Sequence, residues 1–337
     1  MASATLLDIS QLPSLKDGMT TEEEATKRRK TCRFIEEAGR VLRLPRVAIS
    51  TAMVFFHRFY AKHSFQEHDR FEVAVAAIVL AAKTEESPKK LNTVITECHK
   101  LKTRGMQAGR ISQPNTMGAG SATPPPPPPP PPSGSSSSQG TTLDPKGEEF
   151  SKLKERILLL ERVILHTIGF ELSIDHPYKF LVEQIKRLIQ TRQIKYIAPP
   201  PTGLNTSQLM TKMTNELVQY SMSFANDSMH TSLCLQFSPQ QIATACVYLA
   251  AQFAKVVPTN GEWRKVLGDP EIEALASICI QIMDLIADRK ASDTDTCNKI
   301  KGQLELLKSL PDGTTHPTPP PPPPPPSDHP NKRPRVG

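Results

Sequence analysis

Val73–Lys83 reads VAVAAIVLAAK and Ile242–Gln252 reads IATACVYLAAQ, identical at five of eleven positions and mostly alike in polarity elsewhere. Each stretch is apolar all round, the pattern of a helix enclosed by other helices. Alanine side chains let neighbouring helices approach closely, so each copy suits the centre of a small bundle. A repeated central helix marks a duplication. The fold expected is all-α, with two tandem bundles.

Working outward, proline and capping residues punctuate the chain as helix starts. Ser87-Pro88, Asp144-Pro145, Ser238-Pro239 and Asp269-Pro270 each place a side-chain acceptor at an N-cap and a proline at the first helical position. Thr21 with Glu24 reads as a capping box for a helix reaching about Leu44, with Phe34, Ile35, Ala38, Val41 and Leu42 on one face. Pro45 restarts the chain for a helix over Val47–Ala61, and Lys89–Leu101 supplies another. A long helix follows from about Asp144 to Ile168 and stops at Gly169. After it, helices are predicted at about 176–190, 206–228, 239–255 and 271–289, with a short piece near Glu262–Leu267. Strand signals are almost absent.

Of 33 prolines in 337 residues, 17 fall in two runs, Pro124–Pro132 and Pro319–Pro326. Residues 105–143 and the tail from about 308 lack the apolar content to offset ordering entropy, so a disordered insert and a disordered tail are expected. The nine prolines of the first run would span roughly 28 Å as a polyproline rod, and a spacer fits better than a ligand for proline-binding modules. Lengthening a loop costs only about 0.6 kcal/mol per doubling, so such an insert leaves the fold intact. The domain reading is a flexible N-terminus over 1–20, a first bundle over 21–170, a second over 171–290, and a proline-rich basic tail over 308–337.

The longest apolar run, Val73–Ala82, is ten residues, short of the roughly 18 that a bilayer span requires. MASATLLDIS carries no secretory pattern. The six cysteines are far apart with no C-x-x-C, and several lie on apolar helical faces. Reduced core thiols in a cytosolic or nuclear protein are expected. The net charge of +7 invites a nucleic-acid reading, but the cations concentrate in Lys27–Lys30 and at the C-terminus, and aromatic residues are only 5%. Direct nucleic-acid binding is therefore not expected. Lys332, Arg333 and Arg335 read as a short nuclear-import signal.

No motif positions a phosphate, a zinc ion or a serine nucleophile. His57, His63 and His68 straddle a helix end with no cysteine or carboxylate cluster beside them, so no metal site is expected. No cofactor and no enzymatic activity are expected. A binding surface then shows as charge set against an apolar pattern. Lys83 ends the enclosed first copy, where the second copy has Gln252, and Glu161 interrupts LLLERVIL at 158–165. This asymmetry suggests that only the first bundle meets a charged partner there.

HRFY at His57–Tyr60 with Ser64-Phe65, LAAKTEESPKKL at Leu80–Leu91, LLERVILHTIGFELSIDHPYKFL at Leu159–Leu181 and NDS at Asn226–Ser228 together resemble the transcriptional cyclins, particularly the cyclin K and cyclin T group. DPK at Asp144–Lys146, LLERVIL and HPYKFL lean toward cyclin K. The resemblance covers about 20–104 and 144–289. It implies two cyclin boxes of five helices each and a regulatory role: binding and activating a cyclin-dependent kinase that phosphorylates the C-terminal repeats of RNA polymerase II, promoting transcription elongation in the nucleus. It also implies kinase-binding roles for Lys83 and Glu161, which would hold the kinase's mobile regulatory helix, and for Glu85, Glu86 and Phe65. The apolar substrate-docking patch of cell-cycle cyclins is replaced, by rough alignment, with Arg28, Arg29, Lys30 and Thr31, expected as a solvated basic face. Two other readings are a splicing-associated cyclin L type, whose arginine-serine tail this chain lacks, and a DNA-bound adaptor like general transcription factor B, whose zinc ribbon it lacks.

Overall fold

The computed structural model describes residues 7–111, 143–198, 203, 205–288 and 294–309. Most of the proline-rich insert, the tail and the Lys332, Arg333 and Arg335 signal lie outside the described residues. Among the described residues no helix is long and apolar enough to cross a membrane.

The first bundle comprises α2 (Thr21–Val41), α3 (Arg46–Phe59), α4 (Arg70–Thr84), α5 (Leu91–Ile111) and α6 (Glu148–Thr167), preceded by a short α1 (Pro13–Lys16). At its centre, every residue of α4 from Val73 to Ala82 is buried. The second bundle comprises α7 (Pro177–Gln190), α8 (Thr206–Ser228), α9 (Leu233–Gln236), α10 (Pro239–Phe253), α11 (Trp263–Leu267) and α12 (Ile272–Ala287). Its centre is α10, whose buried residues run from Ile242 to Ala251 with only Thr244 left out. Each repeated helix thus nucleates its own hydrophobic core. The alanines explain the spacing: burying small side chains on all faces lets four neighbours close on one axis.

The helix starts refine the sequence reading. Ser238 caps α10 in a full capping box with Gln241, and Pro239 occupies the first turn. In α2 the box is Thr20 with Glu23, one residue before the expected Thr21 with Glu24. Asp144 instead accepts from the Lys146 N–H, and α6 begins three residues later behind Gly147. The Asp269-Pro270 start likewise yields to Glu271, the N-cap of α12. α5 continues to Ile111, beyond the expected boundary at 105.

Three further segments differ from expectation. Residues 7–20 are folded rather than flexible: Leu12 and Ser14 are fully buried, and Ser14 Oγ accepts the Phe65 N–H at 3.0 Å. Past residue 290, α13 (Thr294–Ser309) packs on α12, burying Cys297, Ile300 and Leu304. A small antiparallel ribbon joins β1 (Ile194–Tyr196) to β2 (Val256–Pro258), with Ile194 opposite Pro258 and Tyr196 opposite Val256.

The basic run in α2 is only partly a solvated face: Lys30 is exposed, but Arg28 and Thr31 turn inward. Arg28 is 1% exposed and Thr31 is fully buried. The Arg28 guanidinium pairs with Glu24 at 2.5 Å and donates to the main-chain oxygens of His57 at 3.2 Å and Tyr60 at 2.8 Å. It thereby satisfies the last turn of α3, where carbonyls lack helical partners. All six cysteines are free, and five of them are buried.

Candidate functional site

α4 and α6 pack side by side, and their shared edge carries the two charges singled out in the sequence. Lys83 Nζ donates to Glu161 Oε1 at 2.5 Å. The Glu161 side chain is 9% exposed and that of Lys83 is 55% exposed. The pair is therefore an anion sunk into the bundle surface, topped by a cation whose remaining N–H groups face solvent. Lys83 lies in the last turn of α4, where the helix dipole favours a cation. Leu158, one turn before Glu161 on α6, is 38% exposed and Leu159 is 53% exposed, an apolar surface beside the pair.

The turn after α4 places the next two expected residues differently. Glu85 is half-buried, and its Oε1 accepts from Thr51 Oγ1 at 2.7 Å. Thr51, fully buried in α3, also contacts His176 Nε2 at 2.8 Å. Glu85 is thus tied inward to the segment that leads into the second bundle. Burial pushes the His176 imidazole below its ordinary range. Glu86 adopts φ 50° and is exposed. A non-glycine residue in the left-handed region is held there by its surroundings. Here the Ser87 N–H donates back to the Ala82 carbonyl at 2.8 Å, closing α4 and turning Glu86 outward.

Phe65 does not join this edge. Its ring stacks on Tyr60 with centroids 3.9 Å apart, and the Arg28 guanidinium lies 5.6 Å from its centroid. The structure gives it a packing role against α2 and α3. Lys83, Glu161, Glu85 and Glu86 are brought to one end of α4, while Phe65 is held elsewhere. The Thr51–His176 link and the exposed leucines of α6 were not anticipated, because an apolar helical pattern does not say which of its leucines face out.

The three histidines also part company. His57 is fully buried, taking a bond from Arg28 at Nδ1 (3.2 Å) and donating from Nε2 to the Met229 carbonyl (3.0 Å). Burial, then the neighbouring Arg28, lowers its pKa to about 3. His63 and His68 instead come together with Glu67, a carboxylate the linear reading did not attach to them.

The cyclin N-terminal domain family matches residues 5–173, and the cyclin-T2-like C-terminal domain family matches 200–265. Cyclin-T1-3 of Oryza sativa subsp. japonica is 31% identical over 83% of this chain and 46% of its own length. Cyclin-T1-5 of Arabidopsis thaliana is 32% identical over 74% of this chain and 34% of its own length. Human Cyclin-L2 is 29% identical over 88% of this chain and 46% of its own. The chain thus spans less than half the length of each of these relatives. A chain from the crystal structure of the yeast RNA Pol II CTD kinase CTDK-1 complex superposes with a TM-score of 0.57 at 14% identity, covering 92% of this chain and 78% of that one. With one cyclin domain over half its length, a second of the T2-like kind behind it, and a repeated buried helix at the centre of each bundle, the chain belongs to the cyclin family, in its transcriptional group.

Proposed function

We propose that this cyclin is the regulatory subunit of a cyclin-dependent kinase and that the Lys83–Glu161 edge takes hold of the kinase's mobile regulatory helix. The observation that carries this reading is the unequal solvation of the pair: an enclosed carboxylate fixes the half-exposed ammonium of Lys83 in place, leaving donors aimed outward beside exposed Leu158 and Leu159. A rigid cation on an apolar rim suits the backbone carbonyls and carboxylates of a partner helix. Glu86 extends the same edge. The cyclin supplies differential binding energy for the active kinase arrangement, and the kinase supplies the phosphoryl-transfer machinery. The likeness to a chain of the yeast RNA Pol II CTD kinase complex supports the polymerase's C-terminal repeats as the substrate, and a nuclear location and a role in elongation belong to the same reading.

The test begins with affinity purification of the full chain and identification of the kinase it retains. The reconstituted pair is then assayed on a C-terminal repeat peptide. Lys83→Glu and Glu161→Ala each remove one partner of a desolvated contact, which costs about 2–5 kcal/mol of binding. Both are expected to reduce activation at least tenfold with helical content unchanged. Normal activation by both variants overturns the site assignment, and recovery of no kinase overturns the function. The 29% identity to human Cyclin-L2 over 88% of the chain favours one other reading, a splicing-associated regulator. It predicts the same kinase grip with splicing factors, rather than repeat peptides, as the preferred substrates.

A further inference from the structure

The loop joining α3 to α4 gathers three metal-ligating side chains with no part in the α4–α6 edge. His63, Glu67 and His68 each offer a ligand atom, and these atoms all lie within 4.8 Å of one another. The hydrogen bonds around His63 fix where its proton sits. Thr167 Oγ1 donates its one hydrogen to the Val163 carbonyl at 2.7 Å, so it meets His63 Nε2, 3.0 Å away, as an acceptor. Nε2 therefore carries the N–H, and in the neutral ring Nδ1 is a bare lone pair. That lone pair faces Glu67 Oε2 at 3.6 Å. Two electron-pair donors opposed at this distance repel unless a proton or a metal ion is shared between them, and the third donor nearby, His68, suits the metal ion. Ligands about 2.1 Å from a tetrahedral zinc ion lie about 3.4 Å apart, close to the separation found.

From this geometry we infer that His63 Nδ1, the Glu67 carboxylate and the His68 imidazole form a binding site for a divalent ion of the zinc class, with the remaining coordination position open to water or to a partner's side chain. Two imidazoles and one carboxylate select zinc, copper or nickel over magnesium and calcium. The surroundings orient His63 and Glu67 as outer-shell partners do, and fix the main chain at His68. Thr167 holds the His63 ring through Nε2, while the Phe59 ring stacks on it at 4.4 Å. The Ser64 N–H donates to Glu67 Oε2 at 3.2 Å, and the Tyr60 hydroxyl donates to the His68 carbonyl at 3.0 Å. Lys62, the neighbouring cation, is turned away: its ammonium donates to the Thr167 carbonyl at 2.7 Å. An ion bound here cross-links the two ends of the α3–α4 loop, with Thr167 at the end of α6 behind His63.

The experiment is equilibrium dialysis of the metal-free full chain against zinc chloride, paired with thermal unfolding and with the visible spectrum of the cobalt-substituted protein. One equivalent is expected, with a tetrahedral cobalt spectrum and a melting temperature that rises with free zinc, since an ion that binds only the folded state stabilises it. His68→Ala and Glu67→Ala should abolish that equivalent, and Thr167→Val, which leaves all three ligands in place, should weaken it by on the order of tenfold. Cys234→Ser, which removes the one cysteine that is not buried, should leave it unchanged. Zinc uptake that survives both ligand substitutions, disappears with Cys234→Ser, or is absent from the unaltered chain at a large excess of zinc overturns the site.

Discussion

Lys83 and Glu161, 78 residues apart in the chain, share one short hydrogen bond, yet water reaches the lysine and hardly touches the glutamate. The two ends of the bond therefore have different consequences for folding. Glu161 is the group whose charge needs a partner, whereas Lys83 exchanges its partner for solvent at little cost.

That asymmetry separates stability from recognition. Lys83→Met strands a nearly enclosed carboxylate and should cost about 1–3 kcal/mol. Glu161→Leu leaves the lysine to water and should fall within about 0.5 kcal/mol of the unaltered chain. The double variant should be neutral or slightly stabilised, as when an ion pair gives way to apolar groups of similar volume. Urea midpoints read these differences. Kinase activation should be lost in all three proteins, so an active and stable double variant would refute the role of the pair as a grip.

Arg28 is the structural counterpart of that pair. Its guanidinium bonds Glu24, the His57 ring and two main-chain carbonyls while only 1% exposed. Arg28→Met leaves Glu24, itself 3% exposed, as an uncompensated buried charge, and a loss of about 3–5 kcal/mol is expected. Arg28→Lys should not restore it, because a point ammonium cannot span the same fork of acceptors. Adding Glu24→Leu to Arg28→Met should recover part of the loss in denaturant unfolding.

Stability should also fall on acidification well before the carboxylates titrate. The folded state holds His57 near pKa 3, because burial disfavours the imidazolium and because Nδ1 must accept from Arg28. The unfolded chain protonates histidine near 6.5. Between these values the unfolded state binds the extra proton, so stability declines as pH drops, by up to about 1.4 kcal/mol per pH unit for this one group. His57→Gln, which can accept from Arg28 and donate to Met229, should flatten the dependence between about pH 6.5 and 4.5. Below that window Glu36 adds loss of the same sign, since the bond from His230 and the nearby Arg40 and Arg46 hold its carboxyl far below the usual range. Urea midpoints across this range check the slope, and an unchanged slope in the variant would contradict the buried neutral imidazole.

The long helices were legible because burial imposes a period on them, and Ser238 with Pro239 announced α10, to which the structure adds the Gln241 half of the capping box. Thr20–Glu23 and Thr21–Glu24 offered the same spacing, and the structure chose between them by assigning Glu24 to Arg28. The charges of Lys83 and Glu161 stood out against apolar neighbours, but their contact depends on α4 packing along α6, which no local pattern encodes. Arg28 was misread because a run of four cations averages to a solvated face, and only its place on the inward side of α2 buries it. His63 and His68 were set aside as metal ligands because Glu67 was not attached to them: a loop, not a period, sets the spacing of the three. Leu12 and the ribbon of β1 and β2 belong to segments too short to show any period at all.

Two helical glycines give opposite predictions for one substitution. A Cβ built on Gly39 of α2 would stand 2.5 Å from Cγ1 and 2.7 Å from Cδ1 of Ile49 in α3, closer than side chains tolerate. Gly39→Ala should gain up to about 1 kcal/mol in helix propensity but lose about 1–3 kcal/mol to overpacking, for a net destabilisation. Gly105 in α5 has nothing within 4 Å of its Cβ position, so Gly105→Ala should stabilise by about 0.4–1 kcal/mol, chiefly by restricting the unfolded chain. Combining Gly39→Ala with Ile49→Ala empties the clashing space and should make the alanine at 39 favourable relative to glycine in that background. Thermal melts of these variants, of Ile49→Ala alone and of the unaltered chain settle the matter, and a stabilising Gly39→Ala on its own would mean that α2 and α3 do not approach each other this closely.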